Sequence, residues 1–453
     1  MKRRYLGIVF IVAGLSLVPL KTTAETLASA LTAAYNNSNL LEQNRALLRA
    51  EDEDVAIALS SLLPNINAGS SINYTDPAQA RDNLTATVSL TLELLLWDFG
   101  RSALAVESAK ETVLAARADL TQQEQNVLLD AVTAYVQVLR DQRVVQLRES
   151  NLRLITQELR AARDRFEVGE VTRTDVAQAE ARLAQARGAL VEAQGNLQIS
   201  RELYKVAVGR APSNLQAISQ LPSLPKSLNA AQATAKRISP LINQVQHQIK
   251  ANELNYAAAK AATRPRISLS GSLSHSSVTD NNSSVGLQMN VPIYQGGQLS
   301  ALVRKSLAGV HASKAVLNQT ALVVDQNVAN AWSRLAVANA QVTSSDRQIR
   351  AAQIAFDGVR EEAKLGARTT LDVLDAEQVL FDARTTRVVS ETQVYSAAYG
   401  LLAAMGLLTT DALKLNVERY DPSEYYNAVK NAPVPISKSG KKLDRILERY
   451  QKN

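Results

Sequence analysis

The 453-residue chain contains no cysteine. That absence excludes disulfides, thiolate metal sites and cysteine nucleophiles. It also excludes lipid attachment through an N-terminal cysteine. Aromatic residues make up only 4% of the chain, too few to fill a bulky globular core. Three histidines, His247, His275 and His311, stand alone, with no ligand spacing and no nucleophile motif near them. No cofactor, no metal and no enzymatic activity are therefore expected. Glycine and proline are both missing from Arg101 to Val168, and proline is missing from Gln298 to Leu365. What is abundant is Ala, Leu, Val, Gln, Glu and Arg, a mixture suited to long helices packed through small side chains. The length is too great for one compact core of ordinary size.

The first residues have the pattern of a secretory signal. Lys2, Arg3 and Arg4 precede the apolar stretch YLGIVFIVAGLSLVPL, and Thr22 and Ala24 supply small residues for cleavage after Ala24. The apolar run is short for a membrane-spanning helix, and Pro19 interrupts it. The net charge of +7 is concentrated at the ends. Lys2, Arg3, Arg4 and Lys21 belong to the leader, and nine Lys/Arg face six Asp/Glu from Asp411 to Asn453. The body from Glu25 to Thr410 is close to neutral, so the basic balance is no argument for a nucleic-acid partner.

The body is a duplication. Trp97-Asp98-Phe99-Gly100 has a counterpart in Tyr294-Gln295-Gly296-Gly297, 197 positions later. The same offset pairs Tyr135 with Trp332, Gly169 with Gly366, Asp175 with Asp372 and Gly209 with Gly406. Upstream the offset is 201, pairing Leu40 with Leu241 and Pro64 with Pro265. Each half then has the same plan of helix, strand hairpin, very long helix, glycine break and helix. The expected organisation is a signal peptide over 1–24 and a first repeat over 25–209, with helices 25–63, 101–168 and 174–208 and strands 65–75 and 84–95. A linker follows over 210–228. The second repeat covers 229–408, with helices 229–263, 298–365 and 370–405 and strands 266–278 and 285–293. A tail runs over 409–453, Pro- and Lys-rich after Asp421 and expected to be partly disordered. The two half-length helices of each repeat should stack end to end beside the long one, with Tyr135 and Trp332 filling the join.

The helices after the glycine breaks carry heptads. Val176, Leu183, Leu190, Leu197 and Tyr204 form a large seam, and Ala179, Ala186, Ala193, Ser200 and Ala207 a small one. Such a repeat implies close, supercoiled helix packing. The second half repeats the large seam with Val373, Leu380, Val394 and Leu401, interrupted by Arg387.

The strands raise a different question. In ISLSGSLSHS, Ile267, Leu269 and Leu273 alternate with serines, the mark of a strand with two unlike faces. Ile66, Ala68, Ile72 and Tyr74, then Leu84 to Leu94 at every second position, then Val285 to Ile293 likewise, repeat the pattern. Four strands cannot close a barrel, and left open their edges invite pairing. For an exported chain a lipid bilayer is the apolar medium that suits the oily face. Three chains would supply twelve strands around a water-filled lumen. Val88, Leu90, Ile267, Leu269 and Leu287 would then face outer-membrane lipid. The competing readings are a small soluble sheet capping a coiled coil and a periplasmic coiled-coil structural or adaptor protein.

The duplicated plan, with LLPNI, WDFG, IYQGGQLS and above all LGARTTLDVLDAEQVL, resembles the TolC family of outer-membrane efflux and type I secretion channels. The resemblance covers about Glu25 to Leu408. It implies a mainly α fold with a membrane β-barrel: a homotrimer with a twelve-stranded barrel and a twelve-helix periplasmic tube. It further implies a passive exit duct that meets a periplasmic adaptor (a membrane fusion protein) and an inner-membrane transporter in a Gram-negative envelope. By the same resemblance Asp372 and Asp375 match an acidic ring that gates the periplasmic end. Arg368 matches a latch residue whose acceptors are Thr174 and Asp175. Val168, Gly169 and Glu170, with Leu365, Gly366 and Ala367, match the tip turns where adaptors bind. Two positions depart from the family pattern: Ala363 replaces an aromatic tie, and Glu170 replaces a small or apolar residue.

Overall fold

The computed structural model describes residues 24–74, 84–278, 281–435 and 437–451. The expected leader, apart from an exposed Ala24, and the whole first hairpin loop lie outside the described residues. Ten helices and four strands follow in the order α1 Leu27–Asn37, α2 Asn39–Ser60, β1 Asn65–Tyr74, β2 Leu84–Trp97, α3 Arg101–Glu167, α4 Arg173–Val208, α5 Leu228–Ile238, α6 Pro240–Ala261, β3 Arg266–Ser276, β4 Asn282–Asn290, α7 Gln298–Lys364, α8 Thr370–Ala404, α9 Pro422–Val429 and α10 Lys438–Gln451. No described helix is both long and apolar enough to cross a membrane.

The long helices α3 and α7 have 67 residues each, about 100 Å at the α-helical rise. Helix α4 packs along α3 and α8 along α7, and α3 also lies against α2, α6 and α8. The small seam of α4 is the deeper one: Ala179, Ala186, Ala193 and Ser200 are buried. Small side chains there let the helix axes approach. Arg387, which breaks the large seam of α8, is satisfied laterally by Asp346 of α7 at 2.7 Å and by Glu391 at 3.1 Å. Glu391 also takes Arg143 of α3 at 2.8 Å, so the polar interruption joins the two repeats.

The first helix of each repeat is not the single rod expected over 25–63 and 229–263. It breaks at Ser38 and at Ser239–Pro240, which occupy equivalent places in the duplication. Ser38 turns extended and its hydroxyl accepts the Leu41 N–H at 3.2 Å, restarting the helix as an N-cap. Pro240 has no N–H and drives Ser239 out of the helical region. The breaks make room for the returning helices. Gly209, after α4, has φ +81°, and a Cβ there would lie 2.4 Å from Asn37 Cβ; Gly406, after α8, has φ +81° and presses on Ser239 and Pro240. Only glycine combines that φ with such close approach. The half-length helices thus meet end to end at mid-length.

The main core surrounds this join. Tyr135 and Tyr204 are fully buried there with Leu41, Leu128, Leu401, Met405 and Leu408, and Trp332 packs at its edge. The backbone carbonyl of Glu25 accepts Tyr135 Oη at 2.9 Å. Its buried carboxylate accepts Tyr204 Oη and Arg210 Nη2, both at 2.7 Å, and the Ser213 N–H at 3.0 Å. The start of the described chain is thereby sewn to the linker between repeats.

The four strands form one antiparallel sheet in the order β1-β2-β3-β4. Strand β2 continues to Trp97, across an irregularity between Leu95 and Trp97. Strand β4 ends at Asn290 rather than at 293, because Pro292 cannot donate to the ladder. The described part of the tail is folded, where the composition predicts partial disorder. Helix α9 lies on α2, where Tyr425 Oη donates to Glu53 at 2.6 Å, and Tyr420 and Tyr426 pack against Leu48, Val55 and Val113. Helix α10 covers α9 through Ile446.

Candidate functional site

The register of the sheet gathers the apolar residues on one face. Leu90 faces Ala68 on one side and Leu273 on the other; Leu94 faces Leu269, which faces Leu287, and Ile267 faces Met289. That face is left largely uncovered in the single chain: Val88, Leu90 and Leu287 are 61%, 43% and 68% exposed, and Ile267 and Leu269 are half-buried. The polar face runs from a buried Ser268 to exposed Glu93 and Ser270. A sheet in water covers its apolar face. The outer strands β1 and β4 leave their far edges unpaired in the single chain.

At the opposite end of the long helices are two matched turns. Helix α3 closes with Gly169 at φ +79°, the Glu170 N–H donating to Arg165 O and the Gly169 N–H to Phe166 O. Helix α7 closes with Gly366 at φ +77°, the Ala367 N–H donating to Glu362 O and the Gly366 N–H to Ala363 O. Both are Schellman closures, in which glycine takes the left-handed position without strain. Each turn leaves an apolar side chain in the open, Val168 at 71% and Leu365 at 86% exposure.

The next helices start with reciprocal capping boxes. Thr172 Oγ1 accepts the Asp175 N–H while Asp175 Oδ2 accepts the Thr172 N–H at 2.8 Å. Thr369 and Asp372 repeat this, with Asp372 Oδ2 taking the Thr369 N–H at 2.9 Å. The bonds hold both carboxyls below their ordinary range; the Thr172 hydroxyl contributes most at Asp175, and the Thr369 backbone most at Asp372. The hydroxyl that caps α4 is that of Thr172, not of Thr174, which lies on the exposed first turn. The pattern T-x-x-D ahead of a heptad run is the signal that identifies these caps.

Asp375 lies one turn further along α8. It bonds Arg182 of α4 at 2.5 Å, tying the two repeats together beside the tip. Arg368 pairs with Glu362 at 2.8 Å, and that bond raises its pKa further. Among the described residues of one chain, Arg368 has no ion pair with Asp175. Deeper in, Glu377 is buried, its pKa raised by burial, and it accepts a bond from Asn151 of α3. Ala363 is buried against Phe356, Val373 and Leu380. Arg182, Glu362 and Asn151 carry no sequence signal of their own, since their partners lie on other helices or across a turn.

The tip turns, the joins and the sheet lie within two matches to one family profile, Outer membrane efflux protein, over residues 30–210 and 231–407. This chain belongs to the outer membrane efflux protein family. BepC, an outer membrane efflux protein of Brucella suis, is 38% identical over 90% of this chain and 91% of its own. The outer membrane protein TolC of Vibrio cholerae is 25% identical over 90% of this chain and 97% of its own. Among solved structures, CusC superposes with a TM-score of 0.77 at 20% identity, covering 84% of this chain and 91% of that one. The family is one of TolC-like outer-membrane channels, not enzymes, and its members reside in the outer membrane and extend into the periplasm. The present chain is accordingly an outer-membrane protein.

Proposed function

We propose that the chain is the outer-membrane exit duct of a tripartite export system and works as a homotrimer. The observation that carries this reading is the sheet, whose apolar face lies largely uncovered and whose two edges are open. Three sheets joined edge to edge close a twelve-stranded barrel, satisfy every edge and turn Val88, Leu90, Ile267, Leu269 and Leu287 to lipid. The polar face then lines a water-filled lumen, and the helices continue that lumen through the periplasm. Substrate passes without any chemistry by the duct itself, delivered by an inner-membrane transporter.

The tip turns around Val168–Glu170 and Leu365–Ala367 are the docking points for a periplasmic adaptor. Val168 and Leu365 offer apolar knobs that no core claims, and Glu170 adds a charge to one of the two turns. Asp372 and Asp375 form the acidic ring of the gate, with Arg182 as the internal partner of Asp375. Arg368 latches the ring to Thr174 and Asp175 of an adjoining helix pair. The decisive experiment is purification in detergent followed by planar-bilayer recording. A trimer with stable unit conductance is expected; a monodisperse monomer that needs no detergent would overturn the reading.

A further inference from the structure

A cavity of about 600 Å³ opens on the polar side of the sheet, where the strands meet the helices. Its charged lining comprises Glu93 of β2, Asp98 just before α3 and Arg101 at its start, Arg264 between α6 and β3, and Arg266 at the start of β3. The two acids are already engaged. Asp98 Oδ2 accepts the Ser102 N–H at 2.8 Å and so caps α3. Glu93 lies 3.6 Å from Arg266. The Arg264 guanidinium lies over the Phe99 ring, 5.5 Å from its centre, and has no acidic partner among the described residues. Arg101, exposed at the first position of α3, has none either.

The duplication shows that the fold does not require these charges. At the equivalent places in the other repeat, Arg264 is matched by Leu63, Arg266 by Asn65, Arg101 by Gln298, Glu93 by Asn290 and Asp98 by Gln295. Every charged position of the cavity is uncharged in the other copy, yet both copies build the same junction of hairpin and long helix.

We propose that this cavity is an anion-contact site at the neck of the duct, where Arg101, Arg264 and Arg266 engage carboxylate or phosphate groups of passing substrates. The inference rests on the duct reading above. In the trimer nine arginines ring the mouth of the barrel against six acids, and the low-dielectric wall focuses their field into the lumen. The gate is acidic and the neck basic, so an anionic solute that passes the tip meets a favourable surface before the exterior.

The test is a planar-bilayer measurement on the full-length trimer under a KCl gradient, with citrate and inorganic phosphate as probe anions. Each arginine is replaced by the residue of the other repeat: Arg101→Gln, Arg264→Leu and Arg266→Asn. The triple variant should lower the chloride-to-potassium permeability ratio by up to about tenfold in dilute salt. The difference should shrink in strong salt. It should also abolish transient current block by citrate and phosphate. A triple lysine variant should retain wild-type selectivity, and Arg101→Gln alone should move it part of the way. Unchanged selectivity and unchanged anion block in conducting trimers of either neutral variant would overturn the proposal. A wild-type protein that forms no pore would instead overturn the duct reading, and this inference with it.

Discussion

Glu25 and Asp52 are both buried carboxylates, and their surroundings drive them toward opposite charge states. For Glu25 burial alone would raise the pKa, but bonds from the Ser213 N–H, Tyr204 and Arg210 outweigh it, so the net shift is downward. For Asp52 burial dominates, Arg117 opposes it only in part, Glu53 adds to it, and the pKa is pushed up to about 6. Neither Asp52 oxygen has a hydrogen-bond partner. The signs follow from linkage. Between about pH 4 and pH 6 Asp52 tends to keep its proton in the folded chain while the unfolded chain, at an ordinary 3.8, has lost it. Its effect is to lower stability as pH rises from about 4 to 6, by up to about 3 kcal/mol, with no further change above. Asp52→Asn should remove that slope and stabilise the protein at pH 7, read by unfolding in detergent from pH 4 to 8. An identical slope in the variant would place the titration elsewhere. Glu25 acts in the other direction, contributing stability above its unfolded value of 4.5 that is lost as pH falls further. Glu25→Ala strands Tyr204, Ser213 and part of Arg210, and should cost about 2 kcal/mol at neutral pH.

At the scale of the element, the sheet makes the sharpest demand. Leu287 stands opposite Leu269 on the apolar face, and Ser270 stands opposite Gly286 on the polar one. Leu287→Arg should abolish membrane assembly, since an arginine facing lipid at mid-depth costs roughly 2–4 kcal/mol. Ser270→Arg should assemble. Extraction of both variants with outer membranes checks this, and equal assembly would mean the faces are reversed. At the tip, Thr369→Ala removes a reciprocal cap and should cost about 1 kcal/mol of local helix stability, visible as faster amide exchange in the first turn of α8. The strands were readable because period two survives in any apolar medium, and the long helices because nothing interrupts them. The end of β4 is not legible in the alternation, because Val291 and Ile293 continue it while Pro292 ends the ladder. The break at Ser239–Pro240 had a visible cause in proline; its twin at Ser38 had only the weaker cue of an N-cap. Asp372 and Asp375 could be located from the sequence, but Arg182 and Glu362 could not, because their pairings depend on how helices and turns align. The two tail helices are not legible because their apolar anchors, Tyr425 and Ile446, are few and widely spaced.

The whole molecule adds what no single chain holds. Asp372 and Asp375 lie three residues apart on α8, and threefold symmetry would bring six such carboxylates around one axis. Charges that close are poorly screened, since the Debye length is about 8 Å at physiological salt. The constriction should favour cations and bind multivalent ones. Replacing both, Asp372→Ala with Asp375→Ala, should abolish block by multivalent cations while the trimer persists. Arg368→Ser should instead raise single-channel conductance by releasing the latch. Recordings of both variants separate the two effects, and cation block that survives in the double variant would remove these aspartates from the gate.

The open edges of the sheet have a genetic consequence. A chain whose β1 and β4 are sound but whose tip is disabled still pairs with its neighbours, because the edges do not report on the tip some 100 Å away. Equal amounts of intact and disabled chains would leave only about one trimer in eight wholly intact. Tip-defective alleles should therefore act dominantly over a wild-type copy, whereas alleles that break the strands, which never enter the ring, should be recessive.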